Sequence, residues 1–349
     1  MTGAFINRIA TALPPNDVHR AFLDFGRLML ANDPRKRALF DRMAERSGIA
    51  HRWSVLAAGG AVDRDSFYRL GAFPGTAARM RKYEEHAPAL AVAAAEKLLA
   101  GEDRSRITHV VVTSCTGFSA PGMDLQLVER CGLRPDVERT LVGFMGCHAA
   151  INALKLARHI VRSDPAARVL AVNLELCTLH LHETDDLEEI LSFLLFADGC
   201  AAALVSADPA GAAMESFKAA LVPDTRELIR WNIRDQGFDM VLSGGVPGAI
   251  RAALGASRAG ILGGANDIAL WAVHPGGRTV LDAVEQAFDL APDALTVSRG
   301  VLRDHGNMSS GTVMFVLERM LRERQGGRGC AMSFGPGLVA ETMLFRMAA

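Results

Sequence analysis

Three short stretches of this chain hold residues that could do chemistry together. In 143–160, GFMGCHAAINALKLARHI, the thiol of Cys147 follows a glycine-flanked turn and opens a strongly helical run. Unpaired N–H groups at a helix start favour an anion, which lowers a thiol pKa and raises its thiolate fraction. The pattern predicts a helix beginning at Cys147, with His148 turned to another face in a packing or solvent role. In 271–282, WAVHPGGRTVLD, His274 ends an apolar strand, at the carboxyl edge where α/β proteins place ligands. In 304–313, DHGNMSSGTV, Asn307 stands in a glycine-containing turn before a predicted strand. Each has a plainer reading alone: an inert core cysteine, a histidine capping the next helix, a turn asparagine. Together they are a nucleophile and two neutral donors. A cysteine can take an acyl group as a thioester, and His and Asn can donate to a developing enolate oxygen. Such a set suits a Claisen condensation.

Elements that could position these residues are legible around them. ITHVVVTSC and ARVLAVNLEL read as strands, TLVGFMG as a buried strand, and FADGCAAALVSAD as a turn into a strand. DPRKRALFDRMAERSGIAHR reads as a charged helix with Pro near its start, and EHAPALAVAAAEKLLAG as a helix closed by Gly101. APGMDLQLVERCGL is a further helix after a Pro-Gly turn, and residues 1–60 read as polar helices and loops. Strands alternating with helices indicate an α/β fold. The second half echoes the first. DIALWAVHPGGRTVLDAVEQAF repeats the strand, small-residue turn and helix of ITHVVVTSC…APGMDLQLVERC, whereas GNMSSGTVMFVLERM and GCAMSFGPGLVAETMLF resemble FADGCAAALVSAD. This suggests a duplication with a boundary near residue 207, hence halves 1–207 and 208–349.

Bulk properties narrow the class. The formal net charge is -1, whereas a nucleic-acid binder is usually basic. No run approaches the ~18 apolar residues of a membrane span, and the opening residues lack a signal-peptide core. A cytoplasmic location is expected. The six cysteines show no CxxC spacing, so free thiols are expected and no metal site. No GxGxxG follows a strand, which leaves a nicotinamide cofactor without support.

GCHAA, HPGG, GNMSS and FGPGLVAET occur in the order and spacing of the chalcone synthase-like, or type III polyketide synthase, family. LFADGCAAALV and GLRPDVER also resemble segments of that family, and the resemblance runs from about residue 20 to the end. It implies a thiolase-like αβαβα fold of two related halves. It implies that Cys147 is the nucleophile, paired with His274, and that His274 and Asn307 hold the thioester carbonyl of malonyl-CoA during decarboxylation. The enolate then attacks an acyl group transferred to the cysteine from an acyl-CoA starter. The cycle repeats, and the polyketide cyclises in the same cavity. No cofactor is implied, because the CoA thioesters are substrates.

By the same resemblance Phe196 is a gatekeeper, and Gly335 and Gly337 belong to a loop expected to help form an oxyanion hole. Arg42 and Arg46, four apart on one helix face, match CoA-phosphate contacts, while a third such position is Leu39 here. Met240 replaces a second gatekeeper aromatic, and Trp231 aligns with a cavity glycine of plant enzymes. Cys115, Cys177, His180 and Ser309 fall at or near cavity positions. The non-plant cavity suggests a fatty or other aliphatic starter and an alkylpyrone or alkylresorcinol product. A homodimer is expected, with Ala120 in a segment that reaches toward the partner and an Ala120–Pro121 bond of either isomer. The rival within enzymes is a β-ketoacyl carrier-protein synthase III, which usually shows HQAN where this chain has HPGG and needs a carrier protein. Thiolases and hydroxymethylglutaryl-CoA synthases carry different acid/base sets. A non-catalytic acyl-binding homologue is the rival from another class.

Overall fold

The structure, a computed structural model, describes residues 3–59, 62–63 and 67–348. In chain order the first half holds β1 (Phe5–Ala12), β2 (Asn16–Asp17), α1 (His19–Met29), α2 (Pro34–Arg46), β3 (Trp53–Ser54), β4 (Ala58–Gly59), β5 (Val62–Asp63) and α3 (Thr76–Leu99). There follow β6 (His109–Ser114), α4 (Met123–Arg130), β7 (Glu138–Gly143), α5 (Ala149–Ser163), β8 (Val169–Leu176), α6 (Leu187–Leu195) and β9 (Asp198–Ser206). The second half holds β10 (Ala212–Leu221), β11 (Ile229–Arg234), β12 (Gly237–Leu242), α7 (Val246–Leu262), β13 (Ile268–Val273), α8 (Arg278–Phe288), α9 (Thr296–His305), α10 (Thr312–Arg322), β14 (Gly327–Gly335) and β15 (Val339–Met347).

Nine strands join in the order β13-β14-β15-β10-β1-β9-β8-β6-β7. The β1–β10 seam is only two residue pairs long, so the sheet folds over there into two layers. Strand alternation then builds five layers. On β9, Ala201, Ala203 and Val205 face a central core, and Cys200, Ala202 and Leu204 face an outer one. On β14 and β15, Ala331, Met343 and Phe345 face that same central core, and Cys330, Met332 and Leu344 face a third. Helices α5 and α10 fill the centre, α3 covers the first half, and α7 and α8 cover the second. Alanines at 150, 153, 157, 171, 201 and 203 keep the central layer thin. The result is the αβαβα arrangement.

Three readings need correction. β1 lies at the seam of the sheet, not among polar helices and loops; Asn7 and Arg8 break its alternation at a bulge. The run after Asn307 is not a strand but α10, in which Thr312 through Leu317 are all buried. Burial on every side erases the polar face that would betray a helix. β7 is not buried: it is the sheet's end strand, and its residues Glu138–Leu141 are exposed.

Candidate active site

The central helices begin side by side, and the site forms where their first turns meet. β7 ends at Gly143, and Phe144 and Gly146 take positive φ values of 60° and 73°. Gly146, Cys147 and His148 then form one 3-10 turn, and α5 begins at Ala149 rather than at Cys147. A methyl group on Gly146 would overlap the ring of Pro336, so only glycine lets the Gly335–Gly337 loop close beside the cysteine. Ahead of α10, Ser309 takes φ 46° and aims its hydroxyl at the Cys147 sulfur, 3.5 Å away.

Burial pushes the Cys147 thiol up to about 11, against the pull of the Ser309 hydrogen bond. This is opposite in direction to the lowered pKa expected from the helix start: desolvation outweighs that help. His274 follows β13, wholly buried, and among the described residues neither ring nitrogen has a hydrogen-bond partner. Burial draws its imidazole down to about 3, so the ring is neutral. The expected pairing of His274 with Cys147 is not among the hydrogen bonds of the described residues. Asn307 donates through Nδ2 to the Gly276 carbonyl of HPGG (3.2 Å), and its Oδ1 accepts from the Ser309 N–H (2.9 Å). Its backbone bridges the Phe196 segment: Ala197 N–H donates to Asn307 O (2.9 Å), and Asn307 N–H donates to Leu195 O (2.8 Å). One chain of contacts thus links HPGG, GNMSS and LFADG.

A cavity of about 30 Å³ lies over the sulfur, lined by Cys147, Cys115, Cys177, Phe196, Trp231, Met240, Ser309 and Pro336 among others. His274 and Asn307 are not in its lining. Trp231 and Met240 face each other across the β11–β12 hairpin. Trp231 Nε1 donates to the Cys115 carbonyl at 2.7 Å, and Cys115 Sγ accepts from Gly146 N–H at 2.9 Å. Cys115 therefore holds both wall and turn. His180 stands behind that wall instead of on it. It stacks on Phe238 at 4.3 Å, meets Trp231 edge-on at 5.3 Å, and reaches Thr116 O at 2.7 Å. Gly335 backs onto the ring of His148, which is buried and bonded to Asn152 at 2.8 Å.

Arg42 and Arg46 are exposed near the end of α2. Arg278, the first residue of α8 after HPGG, donates to Arg46 O at 3.2 Å, which adds a third exposed guanidinium beside them. Two acids with no exposed surface, Glu175 and Asp198, escape the sequence reading. Glu175 accepts from Cys115 N–H (2.9 Å), the Thr116 hydroxyl (2.9 Å) and the Ser310 hydroxyl (2.6 Å), and burial raises it to about 7. Asp198 accepts from Val55 N–H and Thr178 N–H, and burial raises it to about 6. The clue was an acid inside each apolar strand. Among the described residues, ligand atoms of His182, Glu189 and Asp239 lie within 4.8 Å of one another. Arg79 lines the same cleft, and Asp239 faces away from Met240. The six cysteines are free thiols.

Comparison with known proteins agrees with this geometry. The profile of the chalcone and stilbene synthase N-terminal domain matches residues 2–209, and that of the C-terminal domain matches residues 213–349. Bisdemethoxycurcumin synthase of Oryza sativa subsp. japonica is 34% identical, covering 98% of this chain and 92% of that protein. The alpha-pyrone synthesis polyketide synthase-like Pks18 of Mycobacterium tuberculosis is 33% identical, covering 99% and 91%. The C-terminal type III polyketide synthase domain of Steely1 from Dictyostelium superposes with a TM-score of 0.93 at 24% identity, covering 99% and 100%, and so speaks for the fold. PKS-I of the brown alga Ectocarpus siliculosus superposes with a TM-score of 0.87 at 29% identity, covering 99% of each chain. With both domain profiles matched end to end, the chain belongs to the chalcone and stilbene synthase family, the type III polyketide synthases.

Proposed function

We propose that this polyketide synthase loads an aliphatic acyl group from CoA onto Cys147, extends it with malonyl-CoA, and releases an alkylpyrone or alkylresorcinol. The observation that carries the proposal is the nearly wholly apolar cavity over the Cys147 sulfur, with Asn307 joined to it through Phe196 and Ser309 and bonded in turn to the Gly276 carbonyl of the HPGG turn that carries His274. In loading, neutral His274 takes the thiol proton. The sulfur attacks the acyl carbonyl, and CoA leaves as its thiol. In extension, malonyl-CoA loses CO2, and the electron pair moves onto the thioester oxygen, where the Asn307 amide and His274 donate. The apolar wall disfavours the carboxylate and not the spread enolate. The enolate carbon attacks the acyl-cysteine, and the thiolate departs. Arg42, Arg46 and Arg278 would meet the CoA phosphates at the surface. No carrier protein is needed in this scheme.

A volume of ~30 Å³ holds about one water, so the closed cavity must widen for any chain. Met240 is the flexible part of the wall, and its unbranched side chain can swing aside for an alkyl group. The relative named for alpha-pyrone synthesis supports that product class. Purified protein given malonyl-CoA and a panel of starters, read by mass spectrometry, tests this. Triketide and tetraketide pyrones or resorcinols from fatty acyl-CoA are expected. Turnover of aromatic starters alone would count against an aliphatic substrate.

A homodimer completes the proposal. β7 leaves one hydrogen-bonding edge open, and Leu141 and Met145 beside it are 46% and 40% exposed. An open apolar edge is covered in stable proteins, most simply by a second copy. The neighbouring Ala120–Pro121 bond is cis. Among the described residues no helix is long and apolar enough to cross a membrane. The free thiols suit the reducing cytoplasm.

A further inference from the structure

Arg52 is fully buried, and among the described residues no carboxylate touches its guanidinium. Its Nη1 donates to the carbonyls of Phe193 (2.8 Å) and Phe196 (3.3 Å), and its Nε donates to His19 Nδ1 (3.1 Å). The guanidinium lies 5.1 Å over the Phe22 ring, and Nη2 has no partner among the described residues. These carbonyls end α6, where backbone acceptors lack helical partners and a cation is favoured by the helix dipole. On its other side, the Arg52 stem packs on the Gly306 backbone. A Cβ there would stand 2.9 Å from Arg52 Cγ and 3.0 Å from Leu195 O. Gly306 precedes Asn307, and Phe196 bridges Asn307. The residues around Arg52 continue the pattern. Trp53 Nε1 donates to Asp304 O at 3.0 Å, and Val55 N–H donates to Asp198 Oδ2 at 2.9 Å.

We infer that Arg52 is a positioning residue: its guanidinium holds the segment carrying Phe196 while its stem packs on Gly306 of the turn carrying Asn307, and together they set the geometry in which malonyl-CoA is decarboxylated. The inference rests on the condensing reading above. A buried cation whose guanidinium no carboxylate of the described residues touches, with Asp17 acting on it only at longer range, is an expensive way to fill space, and apolar side chains commonly serve better where packing alone is needed. What an apolar side chain cannot do is bond two carbonyls and an imidazole at once through one rigid fork. Lysine, a point charge, cannot match that either.

The test compares wild type with Arg52→Lys and Arg52→Met. Product formation gives kcat and KM for malonyl-CoA, and amide hydrogen exchange is read at Ala197, Asn307 and β8. In the wild type, Ala197 and Asn307 should exchange as slowly as the core of β8; fast exchange there overturns the clamp whatever the variants do. In both variants, kcat should fall by about tenfold or more while KM changes by less than about threefold, the mark of a lost transition-state interaction. Exchange at Ala197 and Asn307 should accelerate while β8 stays protected. A kcat within about twofold of wild type, or unchanged exchange at those two amides, would reduce Arg52 to packing. If wild-type protein does not turn over malonyl-CoA at all, the condensing reading fails by itself, and the exchange comparison still decides the clamp.

Discussion

At the scale of residues, the site is a thiol awaiting activation. Cys147 is half-buried by exposure yet high in pKa through desolvation, and the side-chain hydrogen bond that favours its thiolate comes from Ser309. Alkylation by iodoacetamide follows the thiolate fraction. The rate at Cys147 in the ligand-free enzyme should still be climbing above pH 9. In Ser309→Ala the thiolate loses its donor, so the pKa rises, and at pH 8 the reaction should slow by about threefold or more. A plateau near pH 7, or an unchanged rate in the variant, would mean that burial does not control this sulfur. Glu175 is the mirror case. Burial lifts it from 4.5 to about 7 in the folded state. Between those values the folded protein binds the extra proton, so this carboxyl's contribution to stability falls as pH rises from about 4.5 to about 7. Glu175→Gln lacks that loss. Its stability relative to wild type should climb from pH 5 to pH 8 by up to about 3 kcal/mol, read as a growing difference in melting temperature. A pH-independent difference between the two melting curves would show that Glu175 ionises in the fold as it does in water.

At the scale of elements, two helix starts, one glycine turn and one hairpin assemble the cavity. The Gly146 turn is the tightest of these joints, because Pro336 occupies the space of a side chain and φ is 73°. Gly146→Ala therefore has to move either the Gly335–Gly337 loop or Cys147 itself. Overpacking of this kind typically costs about 1–3 kcal/mol, and the displaced sulfur should lose acylation along with stability. A thermal melt and intact-protein mass after incubation with an acyl-CoA check both at once. Normal acylation in a stable variant would show that the loop is free to shift. The hairpin's part is to carry Trp231 and Met240, with Trp231 braced from behind by His180 and Phe238. That bracing leaves Met240 as the mobile side of the wall.

At the scale of the whole molecule, the folded-over sheet buries one edge region and leaves another open. β7 was expected to be buried from its composition, yet this chain alone does not bury it. A second copy laid against that edge reconciles composition with exposure. Leu141→Asp places a charge in that contact and should turn a dimer into a monomer in sedimentation velocity, at about tenfold weaker association or more. A variant that sediments like wild type would move the interface elsewhere.

The local chemistry was legible without coordinates. Cys147, His274 and Asn307 stand out because a thiol, an imidazole and an amide each sit beside glycines that force sharp turns. The alternation that builds five layers is written in the strands. What only the tertiary structure decided was how the environment acts on those groups. The protonation of Cys147 and His274, the clamp by Arg52, the bracing by His180 and the helical state of 312–322 all depend on burial by residues distant in the chain. Desolvation is the sum of every neighbour packed around a group, and no local stretch of sequence contains that sum.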